Sequence, residues 1–132
     1  MITQYARQYE QTQVVTSSGV QLIVLMYDAA IHSIESARRE IQAQNVPERA
    51  RFLGRAIAIV GELNSVLDHE RGGEIAQSLR RLYDYILMEL VEANTRSNEQ
   101  KLEGPLRCLH TLREAWREVA SRQQQSRMAE AR

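Results

Sequence analysis

A single cysteine, Cys108, stands among 132 residues and excludes an intramolecular disulfide. An excess of charge of either sign is also missing. Lys plus Arg number 17 and Asp plus Glu number 17, so the formal net charge is zero. A sequence-independent nucleic-acid binder releases counterions through a positive excess, and none is present. No uninterrupted apolar run approaches the ~20 residues that a membrane-spanning helix needs. Met1 to Arg7 has no basic stretch followed by an apolar one, so no secretory signal is expected and the default compartment is the cytoplasm. Aromatics make up only 5% and prolines number two, too few for a β-protein rich in turns and aromatic strands.

What is abundant is Ala, Leu, Glu, Gln and Arg, all good helix formers. The breakers fall at Thr16-Ser17-Ser18-Gly19, Asn45-Val46-Pro47 and Gly72-Gly73, with a softer one at Asn94 to Asn98. They leave four segments of roughly 22–27 residues, well matched at ~1.5 Å per residue for side-by-side packing. The expected fold is all-α, an antiparallel up-down-up-down four-helix bundle. A short arm covers residues 1–17, the bundle residues 18–122, and a frayed polar tail residues 123–132.

The first helix should start after Ser18, with Ser18 and Gln21 as a capping box. It is apolar nearly all round from Val20 to Ile31, so it is either buried on both sides or flanked by a groove. The second begins with Asn45 as its cap and Pro47 in the first turn, and its stripe is Val46, Ala50, Leu53, Ile57, Val60, Leu63, Leu67. Gly54 and Gly61 inside it mark either a close neighbour or a tolerated weakness. The third follows Gly72-Gly73 with the stripe Ile75, Leu79, Leu82, Tyr83, Ile86, Leu90, Val91, Ala93. The fourth begins near Ser97 as cap, with Pro105 as a kink or as the true start, and its stripe runs Leu102, Leu106, Leu109, Leu112, Trp116, Val119. Ile75, Leu79, Leu82, Ile86, Leu90, Leu109, Leu112 and Trp116 are expected in the core. Helices one and three share Met26-Tyr27-Asp28 and Leu82-Tyr83-Asp84, an echo too short to prove a duplication.

Catalytic patterns are missing. A two-metal carboxylate site in a bundle uses Glu-x-x-His pairs, but His32, His69 and His110 follow Ala29, Val66 and Arg107 at that spacing. His69-Glu70 is not part of a His-Glu-x-x-His zinc motif. Gly72-Gly73 lacks the strand and the Gly-Lys-Ser/Thr of a phosphate loop and reads as a helix-hairpin turn. Cys108, beside Leu109, reads as a packing residue or a near-core thiol. The arginine doublets at 38–39 and 80–81 are interleaved with acids, as on solvated, salt-paired helix faces. Asp28 and Asp84 sit mid-helix, where Asp is a poor helix former, and a specific partner such as an arginine is expected for each. No metal, cofactor or catalytic residue is assigned. The expectation is a binding protein and not an enzyme.

Residues 2–15 stand apart. Tyr5 and Tyr9 are one helical turn apart and the piece is too polar to hold itself folded, so its tyrosines need a surface to lie on. Together with the surplus apolar surface of the first helix, this marks a partner site, and an amphipathic helix in a groove is the usual partner.

Tyr9-Glu10-Gln11-Thr12-Gln13-Val14, Thr16-Ser17-Ser18-Gly19 with Leu22-Ile23 and Met26-Tyr27-Asp28, the run Leu63 to Ala76, and Leu112-Arg113-Glu114-Ala115-Trp116 together resemble the flagellin export chaperone family, FliS. The likeness spans residues 5 to 119. It departs at Gly19, where the family usually has proline. The resemblance implies a four-helix bundle in the cytoplasm that binds the C-terminal helical segment of flagellin. It implies that this prevents premature polymerisation and passes the subunit to the type III export gate, with no nucleotide or metal. Other flagellar regulators and a homodimer are further partners compatible with it. Tyr5 and Tyr9 would cap the binding surface, and Ile23, Tyr27 and Ile31 would either supply groove surface or pack in the core. The competing reading is a helical regulatory or scaffold protein with a different amphipathic-helix partner.

Overall fold

The computed structural model describes residues 19–131. These form helices α1 (Gly19–Gln42), α2 (Val46–Ser65), α3 (His69–Arg96) and α4 (Glu103–Glu130), with a 3₁₀ turn at Glu99–Leu102 before the last. No strand occurs among the described residues. Each helix packs on its two neighbours in a ring, α1 on α2 and α4, α3 on α2 and α4, while the diagonal backbones stay apart. This is the expected up-down-up-down bundle.

Local chemistry sets the ends. Asn45 caps α2, its side chain accepting from the Glu48 N–H at 3.4 Å, and Pro47 lies in the first turn. Asp68 caps α3 by accepting from the Arg71 N–H at 3.0 Å. One turn later Gly73 adopts φ 49°, ψ −123°, and α3 is kinked there. The helix therefore begins before the glycine pair and not after it. A side chain is strained at that backbone conformation, so Gly73→Ala should cost about 1–3 kcal/mol in urea unfolding. Gly54 and Gly61 are tolerated, since a Cβ at either would meet nothing within 4 Å.

Two other boundaries differ from the sequence expectation. Ser97 caps no N-terminus. It has φ 51° and closes α3, and the Asn98 N–H bonds back to the Ala93 carbonyl at 3.2 Å. Asn98 takes the capping role, accepting from the Gln100 N–H at 3.0 Å. Pro105 then falls in the first turn of α4, where a missing N–H costs nothing. At the other end α4 stays helical to Glu130, through the segment expected to fray. No breaker interrupts it, and Arg122 bonds Glu118 one turn back at 2.6 Å. Ser18, expected as the first cap, lies outside the described residues.

The core is one cluster fed by all four helices. Tyr27, Ile34, Leu53, Val60, Ile86, Leu90, Leu102 and Leu109 are fully enclosed. Leu79 is buried as expected, and Leu112 and Trp116 pack on the cluster while partly exposed. Five positions depart from the predicted stripes, Val119 near the outer end of α4 being one. Val46 sits at the exposed start of α2. Ile75, Leu82 and Val91 of α3 are exposed, because the buried arc of that helix is narrower and runs through Ala76, Leu79, Tyr83, Ile86, Leu90 and Ala93.

Candidate binding cleft

The residues proposed for groove surface on α1 go mostly inward. Tyr27 is 0% exposed and Ile31 is buried, so neither offers open surface, whereas Ile23 is half-buried against the core. The reason is that α1 packs on two helices at once, and both of its apolar stripes are consumed. Tyr5 and Tyr9 lie outside the described residues.

Tyr27 anchors a polar cluster inside the core. Its hydroxyl meets that of Tyr83 across the bundle, and the Trp116 indole N–H donates to it at 3.1 Å. The next residue, Asp28, accepts from Arg113 at 2.9 Å and from Arg117 at 3.4 Å, which fixes α1 to α4. Asp84 accepts from Asn64 at 3.0 Å, which fixes α3 to α2. Both mid-helix aspartates thus have specific partners, and only that of Asp28 is arginine at close range. Cys108 is half-buried and packs on the core.

Burial pushes the Tyr27 phenol above its ordinary value of 10.0, against the pull of its Tyr83 and Trp116 hydrogen bonds. Burial pushes Tyr83 up further, and the adjacent Tyr27 adds to it. The folded state therefore holds these protons after the unfolded chain has begun to lose them. Their contribution to stability is complete below about pH 10 and is lost as pH rises through the folded-state values. Alkaline urea titrations should show unfolding free energy falling above about pH 10, by at most about 1.4 kcal/mol per unit for each tyrosine. The fall should be shallower in Tyr83→Phe.

The open surface lies between α3 and α4, which touch least of the neighbouring pairs. Their ties cluster where α4 begins. The Tyr85 ring lies over Gly104, where a Cβ would collide with its hydroxyl. Lys101 sits 3.1 Å from Glu92 and 3.8 Å from Glu89. Ile75, Leu82 and Glu89 are spaced by two helical turns and share one line, so the line that faces Lys101 at Glu89 also faces α4 lower down. On α4, Arg113 and Arg117 point to α1, which turns the flank of Cys108, Leu112, Ala115 and Val119 to α3. Ile75 is 74% exposed and Leu82 36%, and Val119 is exposed opposite them. These exposed apolar side chains mark the α3–α4 seam as the candidate cleft. Sequence periodicity missed it because Ile75 and Leu82 read as ordinary core. Among the described residues no group of three His, Cys, Asp or Glu is placed to hold a metal, and no helix is long and apolar enough to cross a membrane.

The described residues form an all-helical bundle with exposed apolar side chains along its α3–α4 seam. The chain belongs to the FliS family: the family model "Flagellar protein FliS" matches residues 1–124. It is 35% identical over 114 residues to the flagellar secretion chaperone FliSB of Pseudomonas aeruginosa, covering 83% of this chain and 90% of that one. It is 34% identical over 120 residues to the flagellar secretion chaperone FliS of Salmonella typhimurium, covering 90% and 89%. A crystal structure of a bacterial flagellar chaperone superposes with a TM-score of 0.75 at 17% identity, over 92% of this chain and 99% of that one, and so shares the fold. The family is one of chaperones acting in flagellar export.

Proposed function

We propose that this protein binds the C-terminal helical segment of flagellin in the cytoplasm, keeps it from polymerising early, and aids its delivery to the flagellar type III export apparatus. The observation that carries this reading is the apolar α3–α4 cleft in a chain of the flagellar chaperone family. A client end that is disordered when free would fold as it binds, and its ordering would offset part of the gross interaction energy. Such a complex is specific and still releasable, as export requires. Ile23 would extend the surface on α1, and Tyr5 and Tyr9 would cover part of it when no client is bound. Tyr27 and Ile31 would act from the core, by holding α1 in place. The export gate, other flagellar regulators and a second copy are further partners on this reading.

The test is calorimetric titration with flagellin from the same source, intact and without its C-terminal segment. Tight binding to the intact form alone, with a negative heat-capacity change, is the expected result. No binding to either form would shift the client to another flagellar protein. Removing residues 1–15 should raise client affinity, and an unchanged affinity would dismiss the covering role of the arm.

A further inference from the structure

The Met-Tyr-Asp echo extends through the fold. At the spacing of 56 residues that separates Tyr27 from Tyr83, Ala30 falls on Ile86, Ile34 on Leu90 and Ala37 on Ala93, all buried. A second constant spacing superposes α2 on the 3₁₀ turn and α4: Leu53 on Leu102, Ala56 on Pro105 and Val60 on Leu109, again all buried. The polar ties obey the same correspondence. Asp28 reaches from α1 to Arg113 of α4, and Asp84 reaches from α3 to Asn64 of α2, with Arg113 and Asn64 equivalent positions. The bundle is two like hairpins, α1–α2 and α3–α4, related by an approximate two-fold through the Tyr27–Tyr83 hydroxyl contact.

The likeness fails along the seam within each hairpin. On the flank of α1 that faces α2 stand Ala29, Ser33 and Ser36. Ser33 is 1% and Ser36 4% exposed, and α1 and α2 pack most closely of all pairs. The equivalent flank of α3 carries Tyr85, Glu89 and Glu92, and there α3 and α4 pack least. Helix spacing follows the size of the side chains at the contact. Small residues close the first hairpin, and large ones open the second. Glu89 and Glu92 are braced by Lys101, and Tyr85 is seated on Gly104.

We propose that Tyr85, Glu89 and Glu92 are positioning residues that hold the α3–α4 cleft at the width of one amphipathic helix of the client. This rests on the cleft being the client site. From Ile75 to Glu89 the wall is about 21 Å long at ~1.5 Å per residue, room for roughly four turns. Its walls are helix flanks with no free backbone edge, which suits a helix and not a strand.

The test gives the second hairpin the residues of the first: Tyr85→Ala, Glu89→Ser and Glu92→Ser in the full chain. Spin labels on α3 and α4, placed at Ser78 and Glu118 in a Cys108→Ser background, report the width, and calorimetry with intact flagellin reports binding. The labels should move several ångströms closer and affinity should fall at least tenfold. Glu89→Gln with Glu92→Gln, which keeps the bulk and removes only the Lys101 ion pairs, should shift both far less than the triple variant, and an equal shift would overturn the role of side-chain size. An unchanged distance in the triple variant overturns the proposal and leaves the cleft as client site standing. A shortened distance with undiminished binding overturns the assignment of the cleft itself. A wild-type dimer that the triple variant dissociates, at constant flagellin affinity, would give the cleft to a second copy and overturn the proposal.

Discussion

Tyr27→Ala is expected to lower the free energy of unfolding by about 3–5 kcal/mol, the range for removing a large enclosed aromatic. The loss has two sources. The ring fills a fully enclosed position where helices α1, α3 and α4 meet. Its hydroxyl is also the acceptor for the Trp116 N–H and the partner of the Tyr83 hydroxyl. Tyr27→Phe separates the two sources. It keeps the ring and strands both partners, and about 1–3 kcal/mol is the cost of leaving such groups unpaired. Urea unfolding followed by far-UV circular dichroism measures both variants. Against a typical total of about 5–15 kcal/mol, the alanine variant should be marginally folded at best. A loss below about 1 kcal/mol would mean that the polar cluster does not organise the core.

The largest functional effect is expected from the cleft. Ile75→Asp combined with Leu82→Asp should weaken flagellin binding about 100-fold, the removal of two apolar contacts worth roughly 1.5 kcal/mol each. The thermal midpoint should hardly move, because substitutions at exposed positions usually cost within about 0.5 kcal/mol. The contrast with Tyr27 is the point of the pair. One residue is enclosed and governs stability, while the other two are open and govern binding. Binding that survives the double change would move the client to another face.

The four helices were legible in the sequence because each carries a 3.6-residue stripe and a chemical stop. Asn45 with Pro47 marked a start that the structure reproduces. Trp116, Leu109 and Ile86 fell in or against the core for the same reason. Ser97 was misplaced because a serine before a helix resembles a cap, whereas the neighbouring Asn98 supplies the bond and Ser97 supplies the left-handed turn. Ile75 and Leu82 were misplaced for a reason no single stripe contains. Whether an apolar side chain at the edge of a stripe is covered depends on the spacing of the next helix. That spacing is set by Tyr85, Glu89 and Glu92, which a hydrophobic pattern counts only as polar or peripheral. On α1 the sequence left Tyr27 and Ile31 open between groove and core, and they are core because neighbours that one helix cannot announce cover them.

The ring of helices closes through one distant pairing. Except for α1 on α4, every packed pair of helices is adjacent in the chain, and the Trp116–Tyr27 bond spans 89 residues. Local pairings form quickly and distant ones carry the larger loop-closure cost. Assembly should therefore begin within the hairpins and end with Trp116 arriving at Tyr27. Trp116 is the only tryptophan, so stopped-flow fluorescence would time that last step without any added probe.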